Sequence, residues 1–95
     1  GGGGGFTYSA ISSDLNPAVA NYHYSCTGTL AITLPAASTL TAGEEIRIKN
    51  MGSGTISINR SGSDTIDGQS SYTLDVQFSA VTLVSSGSGN TYEVI

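Results

Sequence analysis

The sequence predicts an all-β domain, an antiparallel β-sandwich or small barrel of jelly-roll type, and three observations predict it. Short runs alternate between apolar and polar residues: Leu30, Ile32 and Leu34 alternate with Ala31 and Thr33, Ile46 and Ile48 with Arg47 and Lys49, Ile56 and Ile58 with Ser57 and Asn59. A period of two is the mark of strands with one buried face. Such runs recur at roughly 8 to 12-residue spacing with glycine-rich turns between them, as in sandwiches and barrels. No apolar stripe of helical period runs long enough for a helix of ordinary length.

In chain order, residues 1–5 are a polyglycine lead, read as a linker or as an arm that docks on a neighbour, where bare backbone fits and side chains do not. Residues 6–11 (FTYSAI) alternate weakly, as an edge strand does, and residues 12–17 (SSDLNP) carry turn chemistry. Residues 21–26 (NYHYSC) read as a strand with Tyr22 and Tyr24 on one face and His23 on the other. Residues 6–29 thus form an N-terminal anchoring segment, and residues 30–95 the main module, within one compact domain over 6–95. Residues 35–43 (PAASTLTAG) form a loop or a single helical turn, with Leu40 plugging the core.

The two glycines of Met51-Gly52-Ser53-Gly54 predict a hairpin between the strands at 46–48 and 56–58, because glycine takes positive φ freely. Turns follow at 61–64 and 67–68. Residues 71–76 alternate with Tyr72, Leu74 and Val76 on one side. Residues 80–84 (AVTLV) are β-branched and nearly continuous, as in a central strand, and 91–95 (TYEVI) close the sheet.

Composition narrows the function classes. The 95 residues make one small domain, with 38% hydrophobic and only 11% charged residues, so serine, threonine and glycine supply the outer surface. A net charge of -4, with Arg47, Lys49 and Arg60 the sole basic residues, argues against nucleic-acid binding and against adhesion to anionic membranes. Cys26 is the single cysteine, so stability comes from packing or from other copies of the chain, not from an intrachain disulfide. No apolar run approaches the roughly 20 residues that span a bilayer as a helix. The absence of an initiator methionine and of a signal-peptide pattern points to a fragment or a processed product.

Candidate chemistry is sparse, and no catalytic, cofactor-binding or metal-ligating residue is assigned. His23 and Cys26 have the intrinsic character of a base and a nucleophile, but three positions apart on a strand they face opposite ways. Three copies of His23 converging on a symmetry axis are conceivable as a metal site, without a second ligand nearby. Asp64 and Asp67 in GSDTIDG lack the alternation of a calcium loop and read as turn caps. Glu44 and Glu45 are adjacent, point apart on a strand, and solvate a turn more readily than they form a glycosidase pair. Among the tyrosines, Tyr22, Tyr24 and Tyr72 are the candidates for stacking on a sugar ring, with core or interface packing as the competing use.

The series ITLPAAS (residues 32–38), EIRIKNMGSGTISI (45–58), GSDTIDG (62–68) and SAVTLVSSGSGNTYEVI (79–95) resembles a module of tailed-bacteriophage virion proteins, found in tail fibres, head fibres and related surface appendages. The resemblance covers about two thirds of the chain. It implies a β-structured homotrimer on the virion surface that serves attachment, decoration or stabilisation without catalysis or cofactor. Its partners would be other virion proteins of capsid or tail, with host surface glycans as the alternative ligand. Such modules often carry tryptophan near the final strand, where this chain has Thr91 before Tyr92. Residues 1–29 match no motif of the module. Open strand edges on a small, weakly charged domain independently favour association of copies about an axis.

Overall fold

The computed structural model describes residues 5–95; the polyglycine lead before Gly5 lies outside the described residues. The fold is all-β, with strands β1 (Thr7–Ile11), β2 (Tyr22–Cys26), β3 (Leu30–Thr33), β4 (Glu45–Asn50), β5 (Ile56–Asn59), β6 (Thr65–Ile66), β7 (Ser71–Leu74), β8 (Ala80–Ser85) and β9 (Thr91–Val94). The predicted loop over 35–43 contains one short 3-10 turn, Ala37–Thr39, and Leu40 beyond it packs against the core.

The strands form two facing sheets. The larger, here sheet A, runs β1-β2-β4-β8-β9-β6, and the smaller, sheet B, runs β3-β5-β7. The chain reaches this order by winding. β1 lies in sheet A and is followed by Leu15, which bridges Ile32 of sheet B in parallel; β2 lies in A and leads to β3 in B; β4 lies in A and leads to β5 in B. Three passes therefore stack, and β1, β2 and β4 are mutually parallel, as are Leu15, β3 and β5. The chain then reverses. β7 runs antiparallel to β5 and β8 to β4, β9 returns antiparallel to β8, and β6 lies parallel to β9.

Two expectations are corrected here. The sheets are mixed, so the architecture is not the purely antiparallel jelly roll expected from short strands with tight turns. The strands at 46–48 and 56–58 also form no hairpin, because β4 and β5 lie in different sheets. Gly52 and Gly54 serve close approach instead of positive φ: neither has a positive φ, and both sit on the corner of the pass beneath them. A Cβ on Gly54 would lie 2.5 Å from the carbonyl carbon and oxygen of Gly28, closer than any side chain tolerates. The positive φ belongs to Gly28 itself, at 102°.

The core fills the space between the sheets. Ile46, Ile48, Val81, Leu83 and Tyr92 enter from sheet A, and Leu30, Ile32, Ile56, Ile58 and Leu74 from sheet B. Each such side chain contributes about 1.5–3 kcal/mol when fully removed from water. β8 lies between β4 and β9 and alternates buried with half-buried positions, which accounts for its near-continuous apolar run. Val76, expected on the face of Tyr72 and Leu74, falls beyond the end of β7 and is exposed.

Polar groups inside the core are all satisfied. Asn50 is fully buried; its Nδ2 donates to the carbonyls of Gly54 at 2.9 Å and Leu74 at 3.1 Å, and its Oδ1 accepts the Gly52 N–H at 3.1 Å. The segment after β3 is held by three further bonds. The Tyr92 hydroxyl donates to Pro35 O at 2.6 Å, Asp64 Oδ2 accepts the Ala37 N–H at 2.9 Å, and Ser85 Oγ donates to Ala37 O at 3.1 Å. Among the described residues no buried side-chain nitrogen or oxygen lacks a partner.

The corner contact predicts an ordering of glycine variants. Gly54→Ala, whose Cβ meets backbone, is expected to lose about 3 kcal/mol or fail to fold. Gly52→Ala, whose Cβ lies 3.3 Å from Gly28 N, should lose about 1 kcal/mol or less. Urea midpoints of the two variants measure the difference, and equal stability would contradict the close stacking.

Candidate functional site

The fold keeps His23 and Cys26 apart. His23 lies on the outer face of sheet A, whereas Cys26 is completely buried beneath it, with its Sγ 3.8 Å from Tyr24 O. Burial pushes the Cys26 thiol up to about 11, opposite to what activates a nucleophile. Asp64 is buried with its carboxylate on the Ala37 N–H, and Asp67, at a φ of 47°, accepts the Val94 N–H at 3.3 Å. Each carboxylate thus supports backbone. Glu44 caps the turn before β4 through the Thr41 N–H at 2.7 Å, and Glu45 pairs with Arg47 at 3.5 Å. Among the described residues no group of three or more histidine, cysteine, aspartate or glutamate side chains is placed to hold a metal ion.

Of the two uses open to the tyrosines, packing is the one the fold displays. Tyr22 and Tyr24 do share a face and stack, with ring centroids 5.3 Å apart and planes 18° from parallel, but the face is the inner one. Tyr24 is buried in the core, and its hydroxyl accepts the Val19 N–H at 2.8 Å. Tyr22 and Tyr72 are partly buried against the same core. Alternation established that Tyr22 and Tyr24 point the same way and could not say which way.

The aromatic surface that is open lies on β1 and the strands beside it. Tyr8 is opposite His23 and His23 opposite Arg47, so the three form one row across the outer face of sheet A. The Tyr8 ring, 68% exposed, stacks on the His23 imidazole at 5.7 Å with planes 13° apart. Phe6 reaches over the Arg47 guanidinium, 3.7 Å from ring centroid to Cζ, a cation–π contact. The signal was present in FTYSAI, where Phe6, Tyr8 and Ala10 alternate with Thr7, Ser9 and Ile11. These contacts clamp β1 to the sheet from outside, and they leave one tyrosine face and the guanidinium edge accessible. A surface of this kind can stack a planar or sugar ring and accept an anionic group beside it.

A second exposed apolar group, Met51, Val76 and Phe78, gathers where β4 ends and β8 begins. Phe78 N–H donates to Asn50 O at 2.6 Å, and Phe78 takes a φ of 69°, uncommon for a bulky residue.

No protein-family model and no curated protein matches the chain.

The buried ionisable groups predict the response to alkali. Burial raises Cys26 and Tyr24, and burial together with the Asp64 carboxylate raises Tyr92. The folded chain therefore keeps protons that the unfolded chain gives up. This contribution is fully present below the unfolded thiol value near 9.0 and is lost as pH rises from there towards 11. Denaturant midpoints should be flat from pH 7 to about 8.5 and fall above it. Iodoacetamide at pH 8 should label Cys26 at least 100-fold more slowly in the native chain than in urea, roughly the thiolate depletion that a two-unit rise implies together with burial.

Proposed function

We propose that the chain is a non-enzymatic structural module of the tailed-bacteriophage virion surface, a homotrimeric fibre or capsid-decoration element that serves stabilisation or host attachment alongside other virion proteins. One observation carries most of the support. Three of the four motifs behind the resemblance meet in space: Pro35 and Ala37 of LPAAS, Asp64 of GSDTIDG, and Ser85 and Tyr92 of the C-terminal series form one hydrogen-bonded cluster. The series thus behaves as one structural device, which is what a recurring module requires. An all-β domain with neutral strand edges is also the kind of unit that multiplies by association.

A second reading is a receptor-binding module for host surface glycans. The exposed Tyr8 ring on its His23 support favours it, with Arg47 as the neighbouring cation. Under this reading the contact residue is Tyr8, in place of Tyr22, Tyr24 and Tyr72, which the core engages.

Native mass spectrometry of the purified chain should give three copies per particle, and an antibody raised against it should decorate intact virions under the electron microscope. Release of oligosaccharides from host capsule by the purified chain would contradict the non-enzymatic role. On a glycan array, binding that Tyr8→Ala reduces by about three- to tenfold would promote the second reading, since stacking on an aromatic face is worth roughly 0.5–1.5 kcal/mol.

A further inference from the structure

Among the described residues the topology leaves two sheet edges without a partner strand. Sheet A ends at β1 and β6, and sheet B at β3 and β7. Two of these ends are closed by the chain itself. Leu15 lies along β3, donating to Ala31 O at 3.0 Å and accepting the Thr33 N–H at 2.9 Å, and Ala18 N–H reaches Thr33 O at 2.9 Å. β6 is two residues long and folds at once into a turn, with Ile66 and Gln69 bonded to each other at 2.8 and 2.9 Å. β1 and β7 have no partner on their outer sides among the described residues.

The ladder geometry fixes which groups are free. Thr7 N–H donates to Asn21 O at 3.0 Å and Thr27 N–H to Ile11 O at 3.1 Å, so Thr7, Ser9 and Ile11 give their backbone groups to β2. Tyr8 and Ala10 aim theirs outward. On the other side, Leu30 N–H donates to Thr55 O and Leu34 N–H to Asn59 O, so Ile56 and Ile58 turn towards β7 and bond Leu74 and Tyr72. Ser71 and Thr73 therefore aim their N–H and C=O groups outward. Each edge thus presents two residues, each with one donor and one acceptor.

Neither edge carries the usual guards. TYSAI and SYTL contain no charge and no proline, and both ladders run without a bulge. β1 is moreover held firmly in place by the Tyr8–His23 and Phe6–Arg47 contacts, so pairing would not have to order it first.

We infer that the occupant of the β1 edge is the β7 edge of a second copy of this chain, paired antiparallel with Tyr8 opposite Thr73 and Ala10 opposite Ser71. The inference rests on the trimeric reading above and names its contact. Sheet A of one copy then continues into sheet B of the next, and three such contacts close a ring. Two physical points select this occupant. One kind of contact consumes both open edges of every copy, whereas pairing β1 with β1 leaves every β7 bare. Copies that each carry a net charge of -4 also meet only along uncharged strands.

Proline substitution tests this directly. Ala10→Pro and Thr73→Pro each delete an outward N–H and spare the bonds inside the molecule, and Ala10→Lys and Thr73→Lys place a guard charge at the same edges without constraining φ. Circular dichroism and melting establish that each variant is folded, and sedimentation measures mass. The wild type should sediment as three copies, each variant alone at about one third of that mass, and an equimolar mixture of Ala10→Pro with Thr73→Pro as a one-to-one pair, because the mixture retains one intact β1 and one intact β7. Trimers of both proline variants and both lysine variants would overturn the contact and leave the trimer standing. Dissociation of the β1 variants alone, or a mixture that stays monomeric, would also overturn it. A monomeric wild type would overturn the contact and the trimeric reading together.

Discussion

The architecture depends on a single close approach, Gly54 against the Gly28 carbonyl. Each pass of the chain crosses from sheet A to sheet B at a corner, and parallel strands pair in register only if successive corners nest at backbone distance. No side chain fits between them. Asn50 converts the approach into a fixed geometry, because its amide bonds the corner at Gly52 and Gly54 on one side and the last strand of sheet B at Leu74 on the other. A buried amide with all these partners costs little, whereas the same amide at any other register would be left unsatisfied. The polar group therefore selects the register that the apolar residues merely permit.

The second half of the chain repeats this division of labour. Apolar residues of β8 and β9 close the core, and three polar side chains decide where the 35–37 segment lies on it. Tyr92 does both: its ring is buried to the last atom and its hydroxyl reaches Pro35 O. With no tryptophan in the chain, this tyrosine is the aromatic anchor of the C-terminal strand. Burial of its phenol is tolerable because the neutral form is a donor and the backbone supplies the acceptor.

Strand positions were legible in the sequence because period-two alternation is a local property, and β1, β2, β4, β5, β8 and β9 all lie where the pattern places them. Strand pairing was not legible. Gly52 and Gly54 look the same in sequence whether they supply positive φ to a hairpin or bare backbone to a stacked corner, and only the presence of Gly28 beneath them distinguishes the two. The direction of the tyrosine pair was not legible for a related reason. Alternation groups Tyr22 with Tyr24 but does not orient the pair, and the inward direction is set by the core of sheet B, distant in sequence. Phe6 and Tyr8 were legible as one face of a weak edge strand; that they cover His23 and Arg47 follows from the parallel stacking of β1 on β2 and β2 on β4.

The distribution of charge links this fold to association. Five of the seven acidic residues, Asp14, Glu44, Asp64, Asp67 and Asp75, lie in connections between strands, where the first four accept backbone N–H groups; Glu45 and Glu93 lie on β4 and β9. The outer face of sheet B, by contrast, carries Thr33, Ser57, Asn59, Ser71 and Thr73. Hydroxyl and amide groups keep such a face wet without placing charge along a strand, and they are compatible with β geometry. A charged outer face would protect the edges from pairing but would also oppose any neighbour brought alongside. With most of its acidic residues at the corners, the chain keeps an overall negative charge that discourages random aggregation, while β1 and β7 carry no charge of their own.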